Sequence, residues 1–129
     1  MKKIRVLVGA LPLLLLSSCQ GSFIVKVEEG GNPTRFAFYD DKILHHERIK
    51  PCLKYLQVHE MRETAAPVKI WEVRASGREC ADVEAVSYGQ APAGFVQHGA
   101  PPPLRRGTTY RVEVEDGDLR AGAGQFRLP

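Results

Sequence analysis

The sequence has no apolar run long enough to cross a lipid bilayer. Its longest apolar run covers residues 6–16 and is interrupted by Pro12, whereas a membrane-spanning helix needs about 20 apolar residues. Three basic residues precede this run, and a basic start followed by a short apolar centre is the pattern of a secretory signal. The pattern therefore predicts export and not a permanent transmembrane helix.

Motifs of known active sites are missing or incomplete. Residues 59–63 read His-Glu-Met-Arg-Glu, which lacks the second histidine of the zinc-protease motif. Gly122 and Gly124 are not followed by the third glycine that a dinucleotide-binding loop requires, and no serine lies in a nucleophile elbow. We therefore predict that the protein is not an enzyme and uses no cofactor.

The four histidines offer a weaker hint of metal chemistry. His45 and His46 stand beside Glu47, and His59 and His98 lie further along the chain. Imidazole and carboxylate groups suit zinc or copper, but this spacing fixes no coordination geometry, and exposed loop histidines are more common than ligands. We therefore predict no metal site.

A short motif stands directly behind the apolar run, namely Leu16-Ser17-Ser18-Cys19. It resembles the lipobox of bacterial lipoproteins and differs from the Ala-x-Ala site of an ordinary secretory signal. The resemblance implies that residues 1–18 are a signal peptide that is removed on export.

The same resemblance implies that Cys19 becomes the first mature residue and carries acyl chains. Several chains on one residue give a stable anchor, whereas a single chain binds a membrane only marginally. Residues 19–22 would then be a short tether, and residues 23–129 the folded domain. The residue after the cysteine is Gln20 and not aspartate, which in such lipoproteins implies the outer membrane, with the domain facing the periplasm.

Removal of the signal also changes the charge of the protein. Three of the 18 Lys and Arg residues lie in residues 1–18, but none of the 15 Asp and Glu residues do. The remaining chain therefore carries 15 charges of each sign. A nucleic-acid-binding protein would show a basic face or stripe, so we predict no nucleic-acid partner.

Two cysteines remain in the predicted domain, Cys52 and Cys80. An even pair in an exported chain favours a disulfide bond. The alternative is a pair of free thiols with a metal or redox role. It is disfavoured because neither cysteine belongs to a Cys-x-x-Cys motif or has a histidine close by in sequence.

Alternating apolar and polar residues, separated by glycine and proline turns, predict several short strands. The alternation in residues 52–62 fits a strand from about Tyr55 to Arg62 better than it fits a helix. Residues 40–51 read as a loop or one helical turn. Residues 68–75 are apolar on both faces, which predicts a central or bulged strand with Trp71 in the core. The other predicted strands are residues 23–28, 34–40, 80–88, 110–114 and 124–128.

Residues 89–103 are rich in glycine and proline and form a long connection. Long irregular loops are often functional, so this one is our candidate for a partner-binding surface. The alternative is that these residues form a packed crossover that proline makes rigid. The sequence favours neither interpretation over the other. The candidate contact residues are Phe95, Val96, Pro101, Pro102 and Pro103.

The clearest indication of the fold lies near the end of the chain. Leu104, Gly107, Tyr110, Val112 and Val114 resemble the segment of fibronectin type III domains that enters the penultimate strand. There a tyrosine hydroxyl bonds back to the backbone as a tyrosine corner. The resemblance implies an all-β protein with an antiparallel β-sandwich of the immunoglobulin or fibronectin III type.

The sequence thus leads to two functional hypotheses. The first is a membrane-anchored envelope lipoprotein that acts as a non-enzymatic binding or accessory module for another envelope protein. The second is a protective lipoprotein that inhibits a lysozyme or protease through the loop of residues 89–103.

Overall fold

The computed structural model describes residues 22–28, 31–42, 46–77 and 79–129. The predicted signal peptide and Cys19 lie outside the described residues. Within those residues the protein is all-β, as predicted, and no helix is long and apolar enough to cross a membrane. The strands are β1 (Ser22–Glu28), β2 (Arg35–Asp40), β3 (Arg48–Ile49), β4 (Cys52–Glu60), β5 (Val68–Ala75), β6 (Ala81–Asp82), β7 (Ala85–Ser87), β8 (Phe95–Gln97), β9 (Thr109–Asp116) and β10 (Ala121–Arg127).

The strands form one curled, mixed sheet. Its order is β3-β2-β1-β10-β9-β4-β5-β8, while β6 pairs with β4 and β7 pairs with β2. A sandwich of two separately bonded sheets is not confirmed, because β1 bonds to β2 along one edge and to β10 along the other. The pairs are antiparallel, as predicted, except that β1 and β10 run parallel from Ser22↔Ala121 to Ile24↔Ala123.

The core lies inside the curl of the sheet. Alternate residues of β9 are buried and half-buried, which is the period of two expected for a strand with one face on the core. Trp71 is 2% exposed, so its predicted place in the core is confirmed. The buried core comprises Phe23, Val25, Phe36, Phe38, Leu53, Leu56, Val58, Trp71, Val73, Val83, Val86, Tyr88, Phe95, Tyr110, Val112 and Val114.

The strand predictions are confirmed where apolar and polar residues alternate regularly, and they are only partly correct elsewhere. The strand predicted for residues 68–75 is β5, and the register of β4 against β5 shifts between Val58 and His59. A bulge inserts one extra residue, so the alternation of side chains between the two faces reverses at this point. This explains why apolar residues of β5 do not follow a single alternation. The single strand predicted for residues 80–88 is instead divided into β6 and β7, and the loop predicted for residues 40–51 contains β3.

The predicted disulfide bond between Cys52 and Cys80 is present, with Cα atoms 5.2 Å apart. It links the start of β4 to the segment before β6. The turn between β9 and β10 packs on it, because the Gly117 amide donates a hydrogen bond to the Cys52 carbonyl oxygen at 2.9 Å. A Cβ atom on Gly117 would lie 2.7 Å from Cys80 Sγ. Glycine is therefore required here for close packing against the sulfur.

The hydrogen bond expected of a tyrosine corner is also present. The backbone amide of Arg105 donates to Tyr110 Oη at 2.8 Å. Tyr110 is 1% exposed, so the bond gives its buried hydroxyl a partner while the ring packs in the core. The contact fixes the path of the chain as it enters β9.

Candidate functional site

The structure does not bring the histidines together. His46 and His98 are exposed, and His59 is half-buried on the outer face of β4, while His45 lies outside the described residues. In the part of the chain that the structure describes, no three His, Cys, Asp or Glu side chains are grouped as a metal site would require.

The residues proposed for the 89–103 loop divide between the core and the surface. Phe95 is 8% exposed and belongs to the core, whereas its neighbour Val96 is 47% exposed. The two differ because both lie on β8, where successive side chains point to opposite faces. Of the prolines, Pro101 is half-buried, and Pro102 and Pro103 are exposed. The exposed apolar surface of this loop is therefore smaller than its composition indicates.

Two buried side chains hold this loop against the sheet. Trp71 Nε1 donates a hydrogen bond to Gln97 Oε1 at 2.9 Å, and Tyr88 Oη donates to the Pro102 carbonyl oxygen at 2.6 Å. Burial, with a smaller contribution from Tyr110, raises the pKa of Tyr88 to about 12. Tyr88 therefore stays protonated and keeps its donor role across the physiological range. The loop is a packed crossover in this structure.

An apolar hollow lies where β1 and β10 separate. Their parallel pairing ends at Ile24 and Ala123, and a hollow of about 760 Å³ opens beyond it. We call it the terminal groove. Phe126, one of its lining residues, stacks on Tyr110 at 5.3 Å and packs against Phe36 at 5.4 Å. The groove is lined by Val27, Glu28, Gly31, Thr34, Phe126, Arg127, Leu128 and Pro129.

Gly124 controls how closely β10 approaches β1 next to this groove. A Cβ atom on Gly124 would collide with the Val25 carbonyl oxygen, and one on Gly122 would lie 2.9 Å from both Phe23 Cε2 and Val114 Cγ2. The Gly-x-Gly pattern in a strand is the sequence signal for such a close approach. Sequence reasoning compared the pair only with a dinucleotide-binding loop and missed the groove that follows it.

A second hollow of about 460 Å³ adjoins the terminal groove, because Arg127 lines both. Glu60 lies in it and accepts hydrogen bonds from Arg105 at 2.8 Å and Arg62 at 3.1 Å. The bond from Arg105 is the main reason why the pKa of Glu60 lies below its ordinary value. Arg127 has no ion-pair partner among the described residues. This end of the domain thus joins an apolar groove to a charged hollow, which contains Arg62, Arg105 and Arg127 together with Glu60 and Glu63.

The outer face of β4, β5 and β9 is polar and carries several ion pairs, but the buried His59 Nδ1 has no hydrogen-bond partner among the described residues. The buried carboxylate of Glu72 accepts hydrogen bonds from Gln57 at 2.8 Å and Lys69 at 3.1 Å, and Arg74 lies 2.9 Å away. Burial acts to raise the pKa of Glu72, but these three neighbours together hold it below the ordinary value. The carboxylate is thus buried and supplied with partners, while Lys69 and Arg74 remain about half-exposed to water, which weakens each ion pair.

Comparison with known proteins yields no match to a family model, a curated protein or a solved structure. The functional argument therefore depends on the sequence motifs and on the geometry described above.

Proposed function

We propose that the protein is an exported, lipid-anchored module of the bacterial cell envelope that binds another molecule and catalyses no reaction. The observation that carries this proposal is the Cys52–Cys80 disulfide downstream of the lipobox-like Leu16-Ser17-Ser18-Cys19. Disulfides persist in oxidising compartments, so the bond supports the export that the first residues of the chain predict. Gln20 after the cysteine favours the outer membrane, with the domain facing the periplasm.

The domain is proposed to be a variant of the immunoglobulin or fibronectin III type. The bond from the Arg105 amide to Tyr110 supports this relationship, because a tyrosine corner at the start of a late strand is a feature of those domains. In this proposal β1 joins two halves that would otherwise form two sheets, with β2 on one side and β10 on the other.

The terminal groove is the binding surface that the geometry favours. It combines apolar side chains of Val27, Phe126 and Leu128 with Arg127, for which the described part of the chain offers no ion-pair partner. A concave apolar site with a few polar groups is the usual form of a binding site. Inhibition of a lysozyme or protease through residues 89–103 is the weaker hypothesis. Phe95 of this loop is buried in the core, which leaves Val96 as its exposed large apolar residue.

Lipidation is tested by producing the full chain in a Gram-negative host and measuring the mass of its N-terminal peptide. We expect the mature chain to begin at Cys19 with acyl chains attached and to fractionate with the outer membrane. The matched variant Cys19→Ser should lose both properties. An unmodified Cys19 or an uncleaved signal would refute the anchoring proposal.

Binding through the groove is tested separately with a photo-crosslinking amino acid at position 126 or 125 of the membrane-bound protein. The Phe126 side chain lines the groove, whereas the neighbouring Gln125 is exposed on the outer face. We expect a recurrent adduct from position 126 and none from position 125. Adducts of equal intensity from both positions, or none from either, would refute the assignment of the groove.

A further inference from the structure

The turn between β9 and β10 presents an exposed leucine in a conformation that leucine rarely adopts. Leu119 has φ 65° and is the only non-glycine residue with positive φ in the described part of the chain. Its side chain is 66% exposed, more than Val96 or Val68. The left-handed region is disfavoured for residues that carry a Cβ atom, and asparagine or glycine is the usual choice there.

Asp116 holds Leu119 in this conformation. One oxygen of the buried Asp116 carboxylate accepts hydrogen bonds from the amides of Asp118 at 2.9 Å and Arg120 at 2.8 Å. The other oxygen lies 2.8 Å from Arg120 Nε, and the Leu119 amide bonds to the Asp116 carbonyl oxygen at 3.1 Å. The backbone on both sides of Leu119 is thus fixed, and the apolar side chain is presented on a rigid turn.

The parallel pairing of β1 with β10 decides which end of the domain this turn occupies. Ser22 pairs with Ala121, so the chain that precedes Ser22 leaves the sheet at the same end as the turn that precedes Ala121. Cys19 is three residues before Ser22, and three residues span at most about 10 Å. A lipid anchor on Cys19 would therefore hold Leu119 close to the membrane surface.

We propose that Leu119 inserts into the lipid interface and that the β9–β10 turn is the face of the domain that rests on the membrane. The inference rests on the lipidation of Cys19 proposed above. Charges of both signs lie at this end of the domain. Arg120 pairs with Asp116 and Lys42 pairs with Asp40, while Asp118 and Asp41 are exposed carboxylates, of which Asp41 accepts a hydrogen bond from Ser22. Because these residues supply no surplus of positive charge to attract anionic lipid, the contact is apolar and insensitive to salt. Burial of apolar side chains at the interface is the driving force.

The proposal also fixes the direction in which the terminal groove faces. Phe126 pairs with Tyr110, at the opposite end of β9 from Asp116. The six residue steps from Tyr110 to Asp116 extend about 20 Å along the strand, so the groove lies about that far from the turn, on the side of the domain away from the membrane. Its ligand would approach from the aqueous compartment.

The test uses the full lipidated protein in zwitterionic vesicles whose acyl chains carry bromine, which quenches indole fluorescence. A reporter tryptophan is introduced by Asp118→Trp beside Leu119, or by Glu63→Trp in the exposed bend after β4, at the far end. The buried Trp71 is present in both proteins and supplies a common background. We expect the bromine to quench the emission of the Asp118→Trp reporter, because the turn enters the lipid interface, and the Glu63→Trp emission to stay unchanged, with or without added salt.

Adding Leu119→Asn to the Asp118→Trp protein should abolish most of the quenching. Asparagine tolerates the left-handed conformation, so the melting temperature should be unchanged or higher, which separates loss of membrane contact from loss of folding. Equal quenching at the two reporter positions, or quenching that survives Leu119→Asn, would overturn the proposal. So would an unquenched Asp118→Trp reporter in protein that floats with the vesicles. Protein that neither floats nor carries acyl mass on Cys19 would instead overturn the lipidation on which the inference rests.

Discussion

Replacing Gly117 by alanine should destabilise the protein only while the Cys52–Cys80 disulfide is intact. The new Cβ atom would lie 2.7 Å from Cys80 Sγ, closer than nonbonded atoms of this size approach. The backbone of Gly117 does not have positive φ, so alanine brings no conformational strain of its own. The steric conflict with the sulfur is therefore the cause of the expected effect.

The magnitude follows from two opposing contributions. Forcing an extra methyl group into a packed site costs about 1–3 kcal/mol. In the double variant Cys52→Ala/Cys80→Ala the sulfur is gone, and the nearest remaining atom is the Cβ of residue 80 at 3.3 Å. This contact is still tight, so residue 80 must move by a few tenths of an ångström. The gain of about 0.4–1 kcal/mol that alanine brings by restricting the unfolded chain offsets this smaller cost, so Gly117→Ala should be close to neutral without the disulfide.

The measurement is a double-mutant cycle by denaturant unfolding of the four proteins. Removing a disulfide between residues 28 positions apart should itself cost about 3.6 kcal/mol by the loop-entropy relation. This is a large share of the roughly 5–15 kcal/mol that holds a small domain folded, so the cycle is best measured at low temperature. Asp118→Ala, in the same turn, is the control and should have the same small effect in both backgrounds. An equal cost of Gly117→Ala with and without the disulfide would refute the reasoning.

Three further predictions concern the fold. Tyr110→Phe removes the acceptor of a buried backbone hydrogen bond and should lower the free energy of unfolding by about 0.5–1.5 kcal/mol; an unchanged denaturation midpoint would contradict this. Gly124→Ala forces β10 away from the backbone of Val25, so we expect a loss of about 1–3 kcal/mol, whereas Gln125→Ala, on the exposed face, should change the midpoint little. The pKa of Glu72 in the folded protein is lowered from 4.5, so the contribution of Glu72 to the free energy of unfolding is complete above pH 4.5 and is lost as the pH falls through the lowered pKa. Glu72→Gln should therefore flatten the acid side of the profile of stability against pH. An identical profile would contradict a role of the Glu72 network in stability.

Several elements of the fold could be predicted from the sequence because their causes are local. The alternation in residues 23–28 and 110–114 reflects the period of two that any half-buried strand requires. The pair Cys52 and Cys80 had no other partner in the predicted domain, and the tyrosine motif around Tyr110 carries its own backbone contact. In each case the residues that determine the structure lie in a short segment or are the only ones of their type.

The position of the candidate binding surface could not be predicted in the same way. Residues 89–103 have the composition of an exposed loop, but Phe95 lies on a short strand whose inward positions are set by pairing with β5. The terminal groove, conversely, is formed by residues of β1 and β10 that lie far apart in the sequence. Only the place where their pairing ends creates the hollow.

The sequence by itself determined the all-β class, the disulfide pair, the core position of Trp71 and the expectation of an exported, lipid-anchored chain. Tertiary structure decided that the strands join in one mixed sheet, that β1 runs parallel to β10, and therefore that Ser22 and the turn carrying Leu119 share one end of the domain. Periodicity and turn residues specify which face of a strand is buried, since that depends on neighbours in sequence. The partner and direction of a strand depend on packing between distant segments, which no local pattern encodes.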